Sequence, residues 1–231
     1  MEIAAKISLI VHIIAGLTTL LAGPLAIFYR FNDTHKHKSA GKIFFYAMVV
    51  VCFTAIGGYL KYPGQPFYQF LLGVAAIVFG GVLRGVRAMQ IMQGGAIRRF
   101  DFVYTALVGV FGVWMTAMAI WHFSNGSPSF FPILFAIFGL MGLSGARLNY
   151  RYFSRPAAVH PLDWYRLHVG SMLGAFTAST TAFTVNSAHF LPWYLQWFGP
   201  ALVLLPLQFY FARQINSQKQ AAHSQSMGSA V

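Results

Sequence analysis

Long apolar runs alternate with short polar stretches along the whole chain, and the alternation is regular enough to predict the elements. Seven runs are long and apolar enough to span a bilayer, at residues 7–29, 42–60, 66–88, 101–122, 130–150, 163–185 and 190–212. About 20 helical residues rise ~30 Å, the thickness of the hydrocarbon core. The pattern therefore predicts an all-α integral membrane protein, a seven-transmembrane-helix bundle forming one domain over residues 1–212. The remainder, 213–231, is polar and poor in bulky residues, and reads as a disordered cytoplasmic tail.

The basic residues orient the bundle. Arg30, Lys36, Lys38 and Lys42 follow the first span, and Arg84, Arg87, Arg98 and Arg99 follow the third. Arg147, Arg151, Arg155 and Arg166 follow the fifth, and Arg213 and Lys219 the seventh. Only Lys6 and Lys61 remain for the other side. The positive-inside rule then sets the N-terminus outside and the C-terminus in the cytoplasm. The first span is read as a retained helix, because its charges come after the apolar run and a cleavable signal carries them before. Outer connections are short (61–65, the SNGSPS stretch at 124–129, and 187–192), and the inner ones are expected to be longer and basic.

Composition agrees with a lipid solvent. Apolar residues make up 57% of the chain and charged residues 9%, against about a quarter charged in soluble domains. The net charge of +12 would suggest nucleic acid in a soluble protein; placed at the ends of apolar runs, it sets orientation instead and gives the cytoplasmic loops a surface for anionic lipid headgroups. No nucleic-acid partner is expected. The single cysteine, Cys52, excludes an intrachain disulfide.

The sixth span is the most polar. At ~100° per residue, His168, Ser171, Ala175, Ser179, Ala182 and Asn186 share one face, with His168 and Asn186 ~27 Å apart along the axis. Thr177, Thr180, Thr181 and Thr184 either bond back to their own helix or line a polar path. Small residues at close-packing intervals recur at Gly81 and Gly85, at Thr105, Gly109 and Gly112, at Gly139, Gly142 and Gly145, and at Gly170, Gly174 and Ala178.

Chemistry falls to histidine. The acids Asp33, Asp101 and Asp163 all lie near the basic connections, and Asp101 and Asp163 suit helix N-termini. That removes a carboxylate proton relay and paired-carboxylate hydrolysis. His12 shares a bundle-facing stripe with Gly16, Thr19 and Gly23; His122 ends the fourth span; His189 lies in the last outer connection. His35 and His37 are expected before the second span, His160 in an inner loop, and His168 one turn into the sixth span. Imidazoles from different helices can hold haem b in an apolar slot. His12 with His122 is the outer ligand pair and His37 with His168 the inner one, in a redox protein using haem b or a quinone. A carrier or channel lined by Thr19, Ser171, Ser179 and Asn186 is the alternative. A zinc hydrolase using His12, His122 and His189 ranks third, because no outer acid is present to orient the ligands or act as base.

Three stretches carry a resemblance: HIIAGLTTLLAGPLAIFYR from His12 to Arg30, HKHKSAGKIFFYAM from His35 to Met48, and TAFTVN from Thr181 to Asn186. In them the chain resembles a family of uncharacterised bacterial multi-span membrane proteins, the domain of unknown function DUF2306. The resemblance implies a retained first helix and a bacterial inner-membrane location; it brings no activity and no catalytic residue. Retinal proteins fit worse, since the apolar part of the last span lacks a lysine. Membrane ceramidases and adiponectin-receptor-like hydrolases pair histidine with a buried acid that is missing here.

Overall fold

The computed structural model describes residues 2–126 and 130–228. Among these residues there are seven α-helices, one short 3-10 turn and no strand: α1 Glu2–Asn32, α2 Thr34–Lys61, α3 Pro66–Met92, α4 Arg99–Ser124, α5 Phe131–Ser154, α6 Pro161–Ser187 and α7 Trp193–Gly228. Six of them, all but α6, are long and apolar enough to cross a membrane. This is the architecture of a multi-pass membrane protein. The hydroxyls, His168 and Asn186 hold α6 below the hydropathy of the others, although its 27 residues rise ~40 Å. Residues 127–129 of the expected SNGSPS connection lie outside the described residues.

The basic connections are shorter than expected. A single residue, Asp33, separates α1 from α2, so His35, Lys36, His37 and Lys38 belong to the first turn of a helix and not to a loop. The cause is the dual bonding of Asp33. Its N–H still donates to the Tyr29 carbonyl at 2.8 Å, while its carboxylate accepts the N–H groups of His35 (2.9 Å) and Lys36 (3.0 Å). One side chain thus satisfies two of the donors that a helix N-terminus leaves open. The Lys36 N–H bond is the main influence holding this carboxyl below the usual carboxylate range; against a smaller desolvation effect, the His35 N–H bond and the charges of Lys36 and His35 act in the same direction.

A carboxyl whose pKa is lowered in the folded state stabilises that state above its unfolded pKa, and loses this contribution as pH falls through the folded value. The stability difference between the wild type and Asp33→Ala is therefore expected to be flat above about pH 5 and to shrink below about pH 4. Asp33→Asn, whose amide oxygen caps at every pH, should lack that acid-side loss. Thermal unfolding of the three proteins across this range is the measurement.

The chain divides into two units. Met1–Leu83 with Arg98–Ser154 form the first, and Arg84–Ile97 with Arg155–Val231 the second, so α3 contributes to both. In the first unit α1 and α2 form an antiparallel hairpin, in which Ser8 crowds Gly57 and His12 meets Thr54. α3 then packs on α4 where Gly80 meets Val108 and Gly73 meets Met115. Around Phe70 an aromatic cluster fills the same unit, with Phe131, Phe135 and Phe138 at 6.1, 5.6 and 5.3 Å between ring centroids.

The tightest crossing joins α4 to α5. A Cβ on Gly112 would stand 2.8 Å from the Leu143 nitrogen and 3.1 Å from the Gly139 carbonyl oxygen. Backbone approaches backbone, which in lipid supplies the dispersion energy that hydrophobic burial supplies in water. Of the small-residue stripes, the α4 and α5 pair is used in this way. At Gly170 and Gly174 of α6 an added Cβ meets nothing within 4 Å.

In the second unit α6 and α7 run antiparallel. Lys219 Nζ reaches Asp163 Oδ2 at 2.8 Å, and at the opposite end Thr184 Oγ1 donates to the Gln196 carbonyl at 2.7 Å. α7 continues as a helix through the polar stretch beyond Arg213 to Gly228, where composition suggested a disordered tail. That stretch holds four glutamines and two alanines, which are good helix formers, and the Lys219–Asp163 pair fastens its first turns to α6.

Candidate histidine sites and the buried polar groups around them

His12 sits in the α1–α2 hairpin with its Nδ1 2.8 Å from Thr54 Oγ1. The Thr54 hydroxyl also lies 2.7 Å from the Val50 carbonyl and 3.1 Å from that of Val51, and whether the ring or the hydroxyl donates in the His12–Thr54 bond follows the tautomer of the imidazole. One turn along the same stripe, an added Cβ at Gly16 meets nothing within 4 Å. Thr19, the next member of the stripe, is fully buried and donates to the Gly16 carbonyl at 2.7 Å.

His37 and His168 bond instead to backbone carbonyls of a neighbouring helix. His37 Nδ1 lies 2.8 Å from the Ala26 carbonyl oxygen, and His168 Nδ1 lies 2.9 Å from the Gly85 carbonyl oxygen. A carbonyl cannot donate, so both rings hold the proton on Nδ1 and keep the lone pair on Nε2. The two belong to different units, His37 to the first and His168 to the second. His160 is the contrast. It caps α6, and its Nδ1 accepts the Leu162 N–H at 3.2 Å, so its neutral ring carries the proton on Nε2.

His122 lies near the end of α4 with its ring stacked on Phe135, 5.6 Å between centroids and 21° between planes. Phe135 is fully buried. The His122 Nε2 is buried as well, and it meets no hydrogen-bond partner among the described residues. Such an orphaned atom calls for an explanation by a missing ligand, ion or water. His12 and His122 stand on α1 and α4 of the first unit.

His189 is exposed in the connection between α6 and α7. Among the described residues no group of three His, Cys, Asp or Glu side chains is gathered closely enough to hold a metal ion. On α6, Ser171 is buried and accepts from Arg84 Nε at 2.8 Å. Ser179 Oγ donates to the Phe176 carbonyl at 3.0 Å, Thr177 and Thr180 to the Leu173 and Phe176 carbonyls at 2.8 Å, and Asn186 Nδ2 to the Ala182 carbonyl at 2.7 Å. Most polar groups of this face are thus bonded within their own helix.

Reading the sequence alone missed several groups. Thr54 was not linked to His12. Arg84 was counted only as an orienting charge, yet it bonds to Ser171 beside the His168–Gly85 contact. Asp101 was read as a helix cap, and it is one: its Oδ2 accepts the Arg98 N–H at 2.8 Å. It is also fully buried, in a helix hairpin that buries Tyr104, Thr105 and Asn149 too. Asn149 is the signal that was available, since an amide in an apolar run must find partners.

No family model, no curated protein and no solved structure matches the chain.

Proposed function

We propose that this chain is a membrane redox protein that holds haem b between its helices through histidine Nε2 atoms, with His12 and His122 as the ligands of the first unit. One observation carries the reading. Two histidines bonded to a neighbouring helix, His37 and His168, donate Nδ1–H to carbonyl oxygens, and His12 Nδ1 meets the Thr54 hydroxyl of the next helix. Metal-ligating histidines characteristically do the same, because the bond fixes the tautomer and ring orientation and leaves Nε2 as the donor to the metal. The partnerless Nε2 of His122 supports the first unit as the place of binding. Haem supplies a one-electron couple there. The protein's residues supply the imidazoles, an apolar aromatic surround and the exclusion of water.

The same proposal includes the topology. α6 crosses with the other six helices, since its hydroxyls bond to its own carbonyls and so cost less in lipid. With seven spans, the basic residues put the N-terminus outside and the C-terminus inside. The resemblance of three stretches to a bacterial membrane family supports an inner-membrane location.

Protein purified after expression with ample haem is expected to show a Soret band and a reduced-minus-oxidised α band. His12→Ala and His122→Ala should each lose most of the bound haem, while His160→Ala, whose ring has the other tautomer, should keep it. A colourless wild-type protein would sink the reading.

A further inference from the structure

We propose that Arg147 and Arg151 of α5 form a binding site for one anionic phospholipid, an inference independent of the haem reading. The two arginines stand four residues apart, so they share a face of the helix, one turn from each other. The same face continues at Ser144, Leu140, Ile137 and Ile133, at intervals of three and four. Every member is open to the surroundings. Ile133 is 53% exposed, Ile137 43% and Leu140 61%, and Ser144 and both arginines are exposed as well. The opposite face is the buried one, with Phe135, Gly139, Gly142 and Asn149, and its two glycines hold the crossing with α4.

Among the described residues, neither guanidinium has an ion-pair or hydrogen-bond partner. The α4–α5 hairpin has one carboxylate, Asp101, which is fully buried and accepts the Arg98 N–H at 2.8 Å. Arg98 and Arg99 add two further cations at the start of α4. Tyr150, beside Arg151 in the chain, meets Phe102 of α4 edge-on at 6.4 Å; tyrosine favours the headgroup level of a membrane. A guanidinium presents a rigid fork of N–H donors that matches phosphate oxygens. Two such forks one turn apart suit one phosphate.

The apolar part of the stripe decides between a lipid and a free anion. From Ile133 to Ser144 it rises ~17 Å, about one leaflet of the hydrocarbon core. The Ser144 hydroxyl donates to the Met141 carbonyl of its own helix at 3.0 Å, so it presents little polarity to a neighbouring acyl chain. A headgroup phosphate on the arginines therefore has its acyl chain laid along the same face of α5.

Native mass spectrometry of the full chain in detergent, titrated with phosphatidylglycerol, tests the site. The wild type is expected to bind the first phosphatidylglycerol more tightly than phosphatidylcholine, and glycerol phosphate at equal concentration should not displace it. A basic residue near an anionic headgroup is worth roughly fivefold, so the double variant Arg147→Gln, Arg151→Gln should bind phosphatidylglycerol about 20–30-fold more weakly. The double variant Lys38→Gln, Lys42→Gln removes the same charge from exposed positions on α2 and should change the affinity little. If the glutamine variant of α5 fails to fold, Arg147→Lys with Arg151→Lys keeps the charge, removes the forks and should still bind more weakly than wild type.

Equal losses in the α5 and α2 glutamine variants would overturn the site, by assigning binding to net charge alone. Unchanged affinity in a folded α5 variant would overturn it too. Equal affinity for phosphatidylcholine, or displacement by glycerol phosphate, would overturn the assignment to an anionic lipid.

Discussion

Gly112→Val is expected to lower the stability of the folded protein by about 3 kcal/mol. The first carbon added at Gly112 would already stand 2.8 Å from the Leu143 nitrogen and close to the Gly139 oxygen and the Gly142 carbonyl carbon. Those are backbone atoms of α5, so no rotamer change relieves the clash and the two helices must separate. Separation also breaks the reciprocal contact at Gly139, which faces Thr116 and the Gly112 carbonyl. Two further substitutions calibrate the result. Gly109→Ala would bring its Cβ 3.5 Å from that of Ala146, an ordinary contact, and should cost little. Gly174→Ala meets open space and should be neutral or stabilising by up to ~1 kcal/mol, since alanine is the better helix former. Reversible unfolding in mixed detergent micelles, followed by circular dichroism, measures all three. Equal losses at positions 109 and 112 would show that the α4–α5 crossing is looser than its geometry implies.

Those three glycines also mark how far the sequence could be read. Spacing places Gly109, Gly112 and Gly174 in equivalent small-residue stripes, and spacing is all that a sequence offers. Which stripe meets a partner depends on how the helices cross, and that is decided by the whole set of contacts. The six most apolar helices were readable because a run of ~20 apolar residues has few other stable states. α6 was readable by length but is set apart by its hydroxyls.

Helix ends were read least well, and one of them governs the site. The interrupted basic stretch around His35 to Lys38 looked like a loop, and a strong cap at Asp33 converts it into a helix turn. Had that cap been recognised, the hairpin would follow by reflection about residue 33, which pairs position 12 with position 54. The His12–Thr54 bond was in this sense available. His37 follows too, since the same reflection brings it beside the α1 residues near Ala26. What no reflection supplies is the direction of that bond, because it depends on the tautomer of the imidazole. The burial of Asp101 is similar: its capping role comes from its place before α4, whereas its depth comes from α5 packing over it.

Thr184→Val is expected to destabilise the α6–α7 hairpin by about 1–2 kcal/mol, and a second substitution should remove most of that cost. Pro200 lies within α7 and has no N–H, so the Gln196 carbonyl, four residues earlier, lacks its helical partner. Thr184 Oγ1 supplies one at 2.7 Å, closer than its 3.0 Å approach to the Thr181 carbonyl of its own helix. Valine is nearly isosteric, so the change deletes the donor without opening a cavity, and the carbonyl loses the partner that stands in for its helical one. Pro200→Ala returns an N–H to the helix and should satisfy Gln196 from within α7. In that background Thr184→Val should cost about 1 kcal/mol less than in the wild type, a coupling that a double-mutant cycle reads directly. Additive effects of the two substitutions would mean that the threonine stabilises α6 by packing alone. A coupling of the expected sign would show that a proline kink in one membrane helix and a threonine in its neighbour form one hydrogen-bonding unit.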